Sequence, residues 1–426
     1  MSSKEIPYPA PPAKSEWQFL NDLQNPMDII LNWDWESVTP AAHLDLRRGI
    51  SLQISISDPE ALLDTAFLAL RRVLEKYSLL NEDGVPCKFS LEDFDDSEAY
   101  RFTVEASGIN LSAADFEGMR RGIYFLIDKL CASQYPYLPI ETIEQKPWLK
   151  NRISRCFFGP IKRPPFNHDE LLDDFDYYPD EYLNRLAYEG INGLWLTIVF
   201  REIAETSFEQ KDALAEKRLE KLRRTVQQCR RFGIKIWVFS IEPRWLAVDD
   251  PLLIENPEFA GAQVSEGGVH CFCPSSEKAQ QYIYESVNDI FKKVPGLAGL
   301  INISHGERMT TCLSSVSAIT EVERINCPRC SKIPPWHIHH NSVTAMYRGI
   351  KDADSSAELI SWLYQPQPDM ERASWNYELA KSLPEGIILQ YNFESGAVKK
   401  QLSRVRFGGD YWLSYVGPSA SFSRIA

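Results

Sequence analysis

Apolar positions along this chain fall into two successive rhythms. As far as about residue 145, alternating runs and one-sided stripes take turns. Gly49-Ile50-Ser51-Leu52-Gln53-Ile54-Ser55-Ile56 alternates apolar and polar side chains, which predicts a half-buried strand. Pro59–Tyr77 places Leu62, Ala66, Leu70 and Val73 on one stripe behind Asp58, a good N-cap, and predicts a helix. Ala99–Val104 and Gly108–Ser112 predict two strands turning at Ala106-Ser107-Gly108. Asp115–Leu130 predicts a second helix whose Gly118 and Gly122 share a face that packs closely on a sheet. These elements describe a small α+β domain over residues 26–145, behind a Pro-rich lead over 1–25. It carries no catalytic cluster.

From residue 146 the rhythm changes. Strand candidates recur at Arg152–Phe158, Ile191–Val199, Ile234–Ile241, Ala298–Ile303, Glu358–Leu363, Gly386–Asn392 and Tyr411–Val416. Helical patterns separate them at Asp180–Glu189, Ala213–Phe232, Glu277–Lys293, Ser342–Asp352 and Ala373–Leu383. Strands alternating with helices predict parallel βα units, and a (β/α)8 TIM-type barrel over 146–426 fits them better than a flat doubly wound sheet. A dinucleotide-binding reading fails, because Gly159-Pro160-Ile161-Lys162 stands where a Gly-rich turn would follow the first strand. Tyr411–Val416 is only the seventh strand candidate, so the eighth unit is expected to be missing.

Composition narrows the partners. Hydrophobic residues at 44% and charged residues at 25% describe an ordinary globular protein. A net charge of −13 with no basic face argues against nucleic acid, whose phosphates need one. No apolar run approaches bilayer length or follows the N-terminus as a signal would, so no membrane partner is expected and a cytoplasmic location is the default. Eleven Trp and eighteen Tyr suit a protein that stacks rings on flat apolar faces, although core packing gives the same count. Nine irregularly spaced cysteines do not read as a disulfide framework.

Candidate chemistry gathers where strands end, because the βα loops at C-terminal strand ends form the open mouth of a barrel. The run Ile301-Asn302-Ile303-Ser304-His305-Gly306-Glu307-Arg308 stops an apolar strand in ionisable residues, and Glu307 is placed to donate a proton to a leaving group. An ion pair of Glu307 with Arg308 is the plainer alternative. Glu242 after the third strand, beside Arg244 and Trp245, Glu394 after the sixth and Asp410 before the seventh are candidates for a second carboxylate. His305 could hold Glu307 or a hydroxyl group. Arg201 with Glu202 could bind hydroxyls or form a rim salt bridge. Trp362, Tyr391, Tyr411 and Trp412 could stack on a ring or fill the barrel. Arg155, Arg201, Glu242, His305, Glu307 and Tyr391 are expected to converge on one pocket.

Several segments resemble family 20 glycoside hydrolases, the β-hexosaminidase type, which place a small α+β domain before a catalytic barrel. "EAYRFTVEASGINLSAADFEGMRRGIYFLIDKL" is similar to the family's strand–strand–helix segment, and "IETIEQKPWLKNRIS" to its passage into the first barrel strand. "INGLWLTIVFRE" and "IKIWVFSIEPRW" resemble its second and third strands, and "LAGLINISHGE" sits where it carries Gly-Gly-Asp-Glu. The resemblance covers roughly residues 95 to 310. It implies a glycosidase acting on a terminal sugar without a cofactor, with Glu307 as general acid/base and Glu242 as partner carboxylate. Arg155, Arg201, His305, Tyr391 and Trp412 would then bind the substrate. Gly306 departs from the family, whose Asp there orients the substrate's acetamido group, and Arg155 is offset from the family's strand-one Arg. A catalytically silent carbohydrate-binding or scaffold barrel is the alternative.

Cys327-Pro328-Arg329-Cys330 is the competing motif. Cys312 lies upstream, and His270-Cys271-Phe272-Cys273 and His337, His339 and His340 offer further ligands. Structural zinc wants four ligands at set spacings, and no second Cys-x-x-Cys exists. Free thiols tying down a long loop, with no metal, are the expectation.

Overall fold

The computed structural model describes residues 21–155, 169–264, 268–306, 308–316, 324–364, 375–391 and 398–407. The expectations for residues 1–20, for Glu307, Glu394, Asp410, Tyr411 and Trp412, and for a strand over Tyr411–Val416 lie outside the described residues. The chain divides into two compact units, Met1–Leu194 with Arg224–Lys235, and Trp195–Arg223 with Ile236–Ala426.

The first unit holds β1 (His43–Asp45), β2 (Ile50–Ile54), α1 (Asp64–Lys76), β3 (Val85–Leu91), β4 (Tyr100–Glu105), β5 (Gly108–Ala113), α2 (Phe116–Ala132), β6 (Tyr137–Pro139), β7 (Thr142–Gln145), β8 (Ile153–Arg155) and α3 (Asp180–Tyr188). Its main sheet runs β2-β3-β5-β4-β7, parallel from β2 to β5 and antiparallel beyond. The predicted hairpin is β4 and β5, paired from Tyr100 with Ala113 to Glu105 with Gly108. Asp115 caps α2 by accepting the Gly118 N–H at 2.8 Å. Asp58 accepts the N–H groups of Leu62 and Leu63, and α1 begins after that turn rather than at Pro59.

The close packing expected of α2 is present. A Cβ on Gly118 would lie 2.5 Å from the Ala99 carbonyl oxygen, and one on Gly122 would lie 2.7 Å from the buried Leu111 side chain. Gly118→Ala should therefore lower stability by about 1–3 kcal/mol, because a backbone carbonyl cannot rotate away. Helix propensity alone would favour Ala by about 1 kcal/mol, so a chemical-denaturation midpoint that rises would contradict this packing.

The second unit carries a parallel sheet in the order β9 (Gly193–Thr197), β10 (Lys235–Ser240), β14 (Leu297–His305), β15 (Glu358–Leu363) and β16 (Ile387–Tyr391). Spatial order follows chain order without reversal. That is the winding of a barrel and not of a doubly wound sheet, which reverses at a switch point. The described strands make a curled half-barrel. All five match the predicted segments, because strands covered on both faces read as continuous apolar runs. Val238 and Leu359 are fully buried and Leu300 nearly so.

The connecting helices are α4 (Phe200–Ile203), α5 (Ala215–Arg230), α6 (Pro251–Glu255), α7 (Glu277–Lys293), α8 (Pro335–Ala353) and α9 (Trp375–Ser382). Helix α8 packs on α7 and α9 and covers β14 and β15. No described helix is long and apolar enough to cross a membrane. Between β10 and α7 the chain inserts a small antiparallel sheet, β11 (Leu246–Ala247), β13 (Val269–Phe272) and β12 (Ala260–Val264) in that order. The sequence reading assigned no strand there. The hairpin of β17 (Val398–Gln401) and β18 (Arg404–Phe407) follows β16.

Candidate active site

The two faces of the half-barrel carry different chemistry. Ser240, Asn302 and Ser361 lie in one register layer across β10, β14 and β15. The Asn302 amide donates to Ser240 Oγ at 2.8 Å, and Ser361 Oγ lies 3.0 Å from His339 Nε2 on α8. This layer faces the helices, so residues one position away face the opposite side. There Trp195 and Phe239 meet at 4.1 Å between ring centroids, and Phe239 and Trp362 at 6.2 Å. Trp362 thus belongs to a half-buried aromatic stripe.

A cleft of about 420 Å³ opens at the C-terminal ends of β9 and β10, lined among others by Arg201, Glu242, Trp245, Phe272, Tyr282 and Arg308. Glu242 is its one deeply buried carboxyl group among the described residues, 4% exposed. The Phe200 N–H donates to its Oε1 at 3.2 Å and the Arg244 N–H to its Oε2 at 2.8 Å. The Arg244 guanidinium lies 3.6 Å from Oε1. These contacts favour the ionised form, but burial outweighs them and pushes the carboxyl up to about 7. Tyr282, buried in the wall, is pushed up by burial and by the neighbouring Glu242. Trp245, 44% exposed, offers the cleft an open ring.

Arg201 lines the same cleft but is committed within the protein. Its Nε donates to Glu209 Oε2 at 2.9 Å and its Nη1 to Asp250 Oδ2 at 2.6 Å. Arg201 thus forms a salt bridge with Glu209 and Asp250 and not with Glu202, which lies 4.0 Å from Arg218. Asp250 also accepts the Leu252 N–H and so caps α6.

The structure brings Arg201 and Glu242 together with Arg308, the neighbour of Glu307 in sequence. It places the others differently. His305 ends β14 fully enclosed, and burial pushes it down to about 4, so it is neutral at pH 7. His339 is held down to about 3 by burial, with His305 and His340 adding to the effect. Tyr391 packs against an apolar core around Leu363, Ile338 and five buried cysteines, and is not among the residues that line the cleft. Burial pushes its hydroxyl well above its usual range. Arg155 ends β8 in the first unit, exposed.

Sequence reasoning missed Phe272 and Tyr282 as cleft residues. Phe272 comes from the unpredicted inserted sheet, whereas Tyr282 lies on a predicted helix as one aromatic of an ordinary apolar stripe. The cysteines expected as free thiols carry no disulfide among the described residues, but they are gathered together. Cys273, Cys312, Cys327 and Cys330 are all buried, with their sulfurs within 4.8 Å of one another. The missing second pair comes from two segments far apart in sequence.

No protein-family model matches the chain, and no curated protein matches its sequence. Solved structures do share its fold. One is a GH138 enzyme targeting pectin rhamnogalacturonan II, with a TM-score of 0.53 and 14% identity over 81% of this chain and 38% of that one. Another is a chitobiase of Flavobacterium johnsoniae, a GH20 enzyme, with a TM-score of 0.50 and 15% identity over 85% of this chain and 59% of that one. The chain spans well under two thirds of the length of either. The chain therefore resembles both glycoside hydrolases in fold.

Proposed function

We propose that this protein is a glycoside hydrolase that cleaves a terminal sugar, with Glu307 as general acid/base and Glu242 as the second carboxyl group. The observation that carries the reading is Glu242: a buried carboxyl group at a C-terminal strand end, facing an open cleft. Glycosidases need two carboxyl groups in different protonation states, one to protonate the departing oxygen and one to attack or to activate water. Arg308 lines the same cleft and is the sequence neighbour of Glu307, which supports the reading. Trp245 supplies a ring on which the apolar face of a pyranose would stack, and Arg244 and Arg308 supply donors for its hydroxyls. The fold relatives are themselves glycoside hydrolases by their descriptions. We read the half-barrel as part of a (β/α)8-type barrel over 146–426, preceded by an α+β domain over 26–145.

The mechanism departs from the family that the chain resembles at Gly306. Gly306 stands where the family carries its acetamido-orienting Asp, and its φ of 113° is a backbone conformation that favours glycine. An aspartate in that conformation would be strained. The reaction proposed here therefore does not depend on a carboxylate at position 306, and sugars without an acetamido group are admissible substrates. A panel of aryl glycosides, with and without a 2-acetamido group, tests the reading. Turnover of at least one, slowed in Glu307→Gln and most for the least acidic phenols, is the expected result. Saturable sugar binding without turnover of any member would favour the silent carbohydrate-binding barrel.

A further inference from the structure

The four clustered cysteines come from three separate pieces of the second unit. Cys273 follows β13, Cys312 opens a short 3-10 turn after β14, and Cys327 and Cys330 form the Cys-x-x-Cys before α8. Cys273 and Cys330 are 57 positions apart in sequence, yet their sulfurs lie 3.6 Å apart, and those of Cys273 and Cys327 lie 3.7 Å apart. A disulfide would need about 2.05 Å. Four sulfurs placed tetrahedrally at the zinc–sulfur distance of about 2.3 Å would be about 3.8 Å from one another. The observed spacing fits a single ion at the centre.

The surroundings are built for thiolates. The Ala262 N–H donates to Cys312 Sγ at 3.3 Å, and the Ser275 hydroxyl lies 3.3 Å from Cys330 Sγ. Arg329 Nε donates to Cys273 Sγ at 3.1 Å, while its Nη2 is anchored on the carbonyls of Glu258 and Ala260 at 2.8 Å each. A guanidinium directed at a buried sulfur suits a thiolate and has little to gain from a neutral thiol. A Cβ on Gly261 would lie 2.4 Å from Cys312 Sγ, so the backbone there closes directly over the cluster. Zinc with four thiolates carries a net charge of about −2, which these donors would offset.

We infer that Cys273, Cys312, Cys327 and Cys330 bind one structural zinc ion, which fastens the inserted sheet and the Cys-x-x-Cys segment to the chain that leaves β14. Four protein ligands leave no open position, so the ion is structural rather than catalytic. Its placement matters for the cleft. Phe272, beside Cys273, and Met309, close before Cys312, both line the cleft wall, and the Phe272 N–H donates to the Thr310 carbonyl at 2.9 Å. The zinc would hold these two segments together. The assignment does not depend on the glycosidase reading, since metal content is measured without any substrate.

The test starts with the full chain expressed in zinc-supplemented medium and purified without chelator. Elemental analysis should find about one zinc per chain, and X-ray absorption should find four sulfurs at about 2.3 Å around it. Cys327→Ser and Cys330→Ser should each retain less than about 0.2 zinc per chain and unfold at lower temperature. Because a serine variant that fails to fold would be uninformative, the wild-type absorption spectrum decides independently. A wild-type protein with less than about 0.1 zinc per chain, a disulfide within the cluster by mass spectrometry, or stoichiometric iron would each overturn the assignment.

Discussion

Glu307→Gln is expected to slow hydrolysis of a glycoside with a poorly acidic leaving group by about 10²–10⁴-fold, the usual loss when a general acid is removed. The glutamine cannot give up a proton to the departing oxygen, so the loss should fall on kcat. Sugar binding and the unfolding midpoint should stay near wild type. An aryl glycoside with an acidic phenol needs less protonation, and its cleavage step should suffer less. A uniform loss across leaving groups would point to misfolding or to a positioning role. A natural substrate turned over within a few-fold of wild type would send the search for the acid to Glu242, Glu394 and Asp410.

Glu242→Gln should have the second-largest effect, about 10²-fold or more on turnover, and a clear signature in pH. The wild-type carboxyl group is held up at about 7 by burial, against a usual 4.5. Between those values the unfolded chain has released this proton while the folded chain keeps it. Stability is therefore lost as pH rises from about 4.5 to about 7, by about 3 kcal/mol for this group. Glutamine has no such proton. Denaturant midpoints at pH 5 and pH 8 should differ more in wild type than in Glu242→Gln, and the activity limb near pH 7 should be absent from whatever turnover the variant retains. Equal pH dependence of stability in the two proteins would contradict the buried, near-neutral carboxyl group.

Much of the second unit was legible from the sequence, for a physical reason. Strands such as Lys235–Ser240 and Glu358–Leu363 are covered on both faces, so they read as unbroken apolar runs. Val85–Leu91 was missed because Pro86 near its start and the polar Lys88 and Ser90 disguise a strand that pairs on both edges. Helix α8 begins at Pro335, earlier than expected, because His337, His339 and His340 read as ligands rather than as a helical turn, although proline suits the first position of a helix. Glu242 was found from its strand-end position, but its burial was not, since burial depends on Tyr282 and Phe272 arriving from later segments. The thiol cluster lay beyond any spacing rule. Its ligands come from segments that meet only once the inserted sheet has folded back against the chain after β14.

The most direct test of the central claim is release of reducing sugar from a glycoside panel by wild type beside the double variant Glu242→Gln/Glu307→Gln, with sugar affinity measured in parallel. The account predicts turnover of at least one glycoside by wild type, turnover lost in the double variant, and sugar binding retained by both. Turnover that persists in the double variant, or sugar binding by wild type without hydrolysis of any member of the panel, would contradict it.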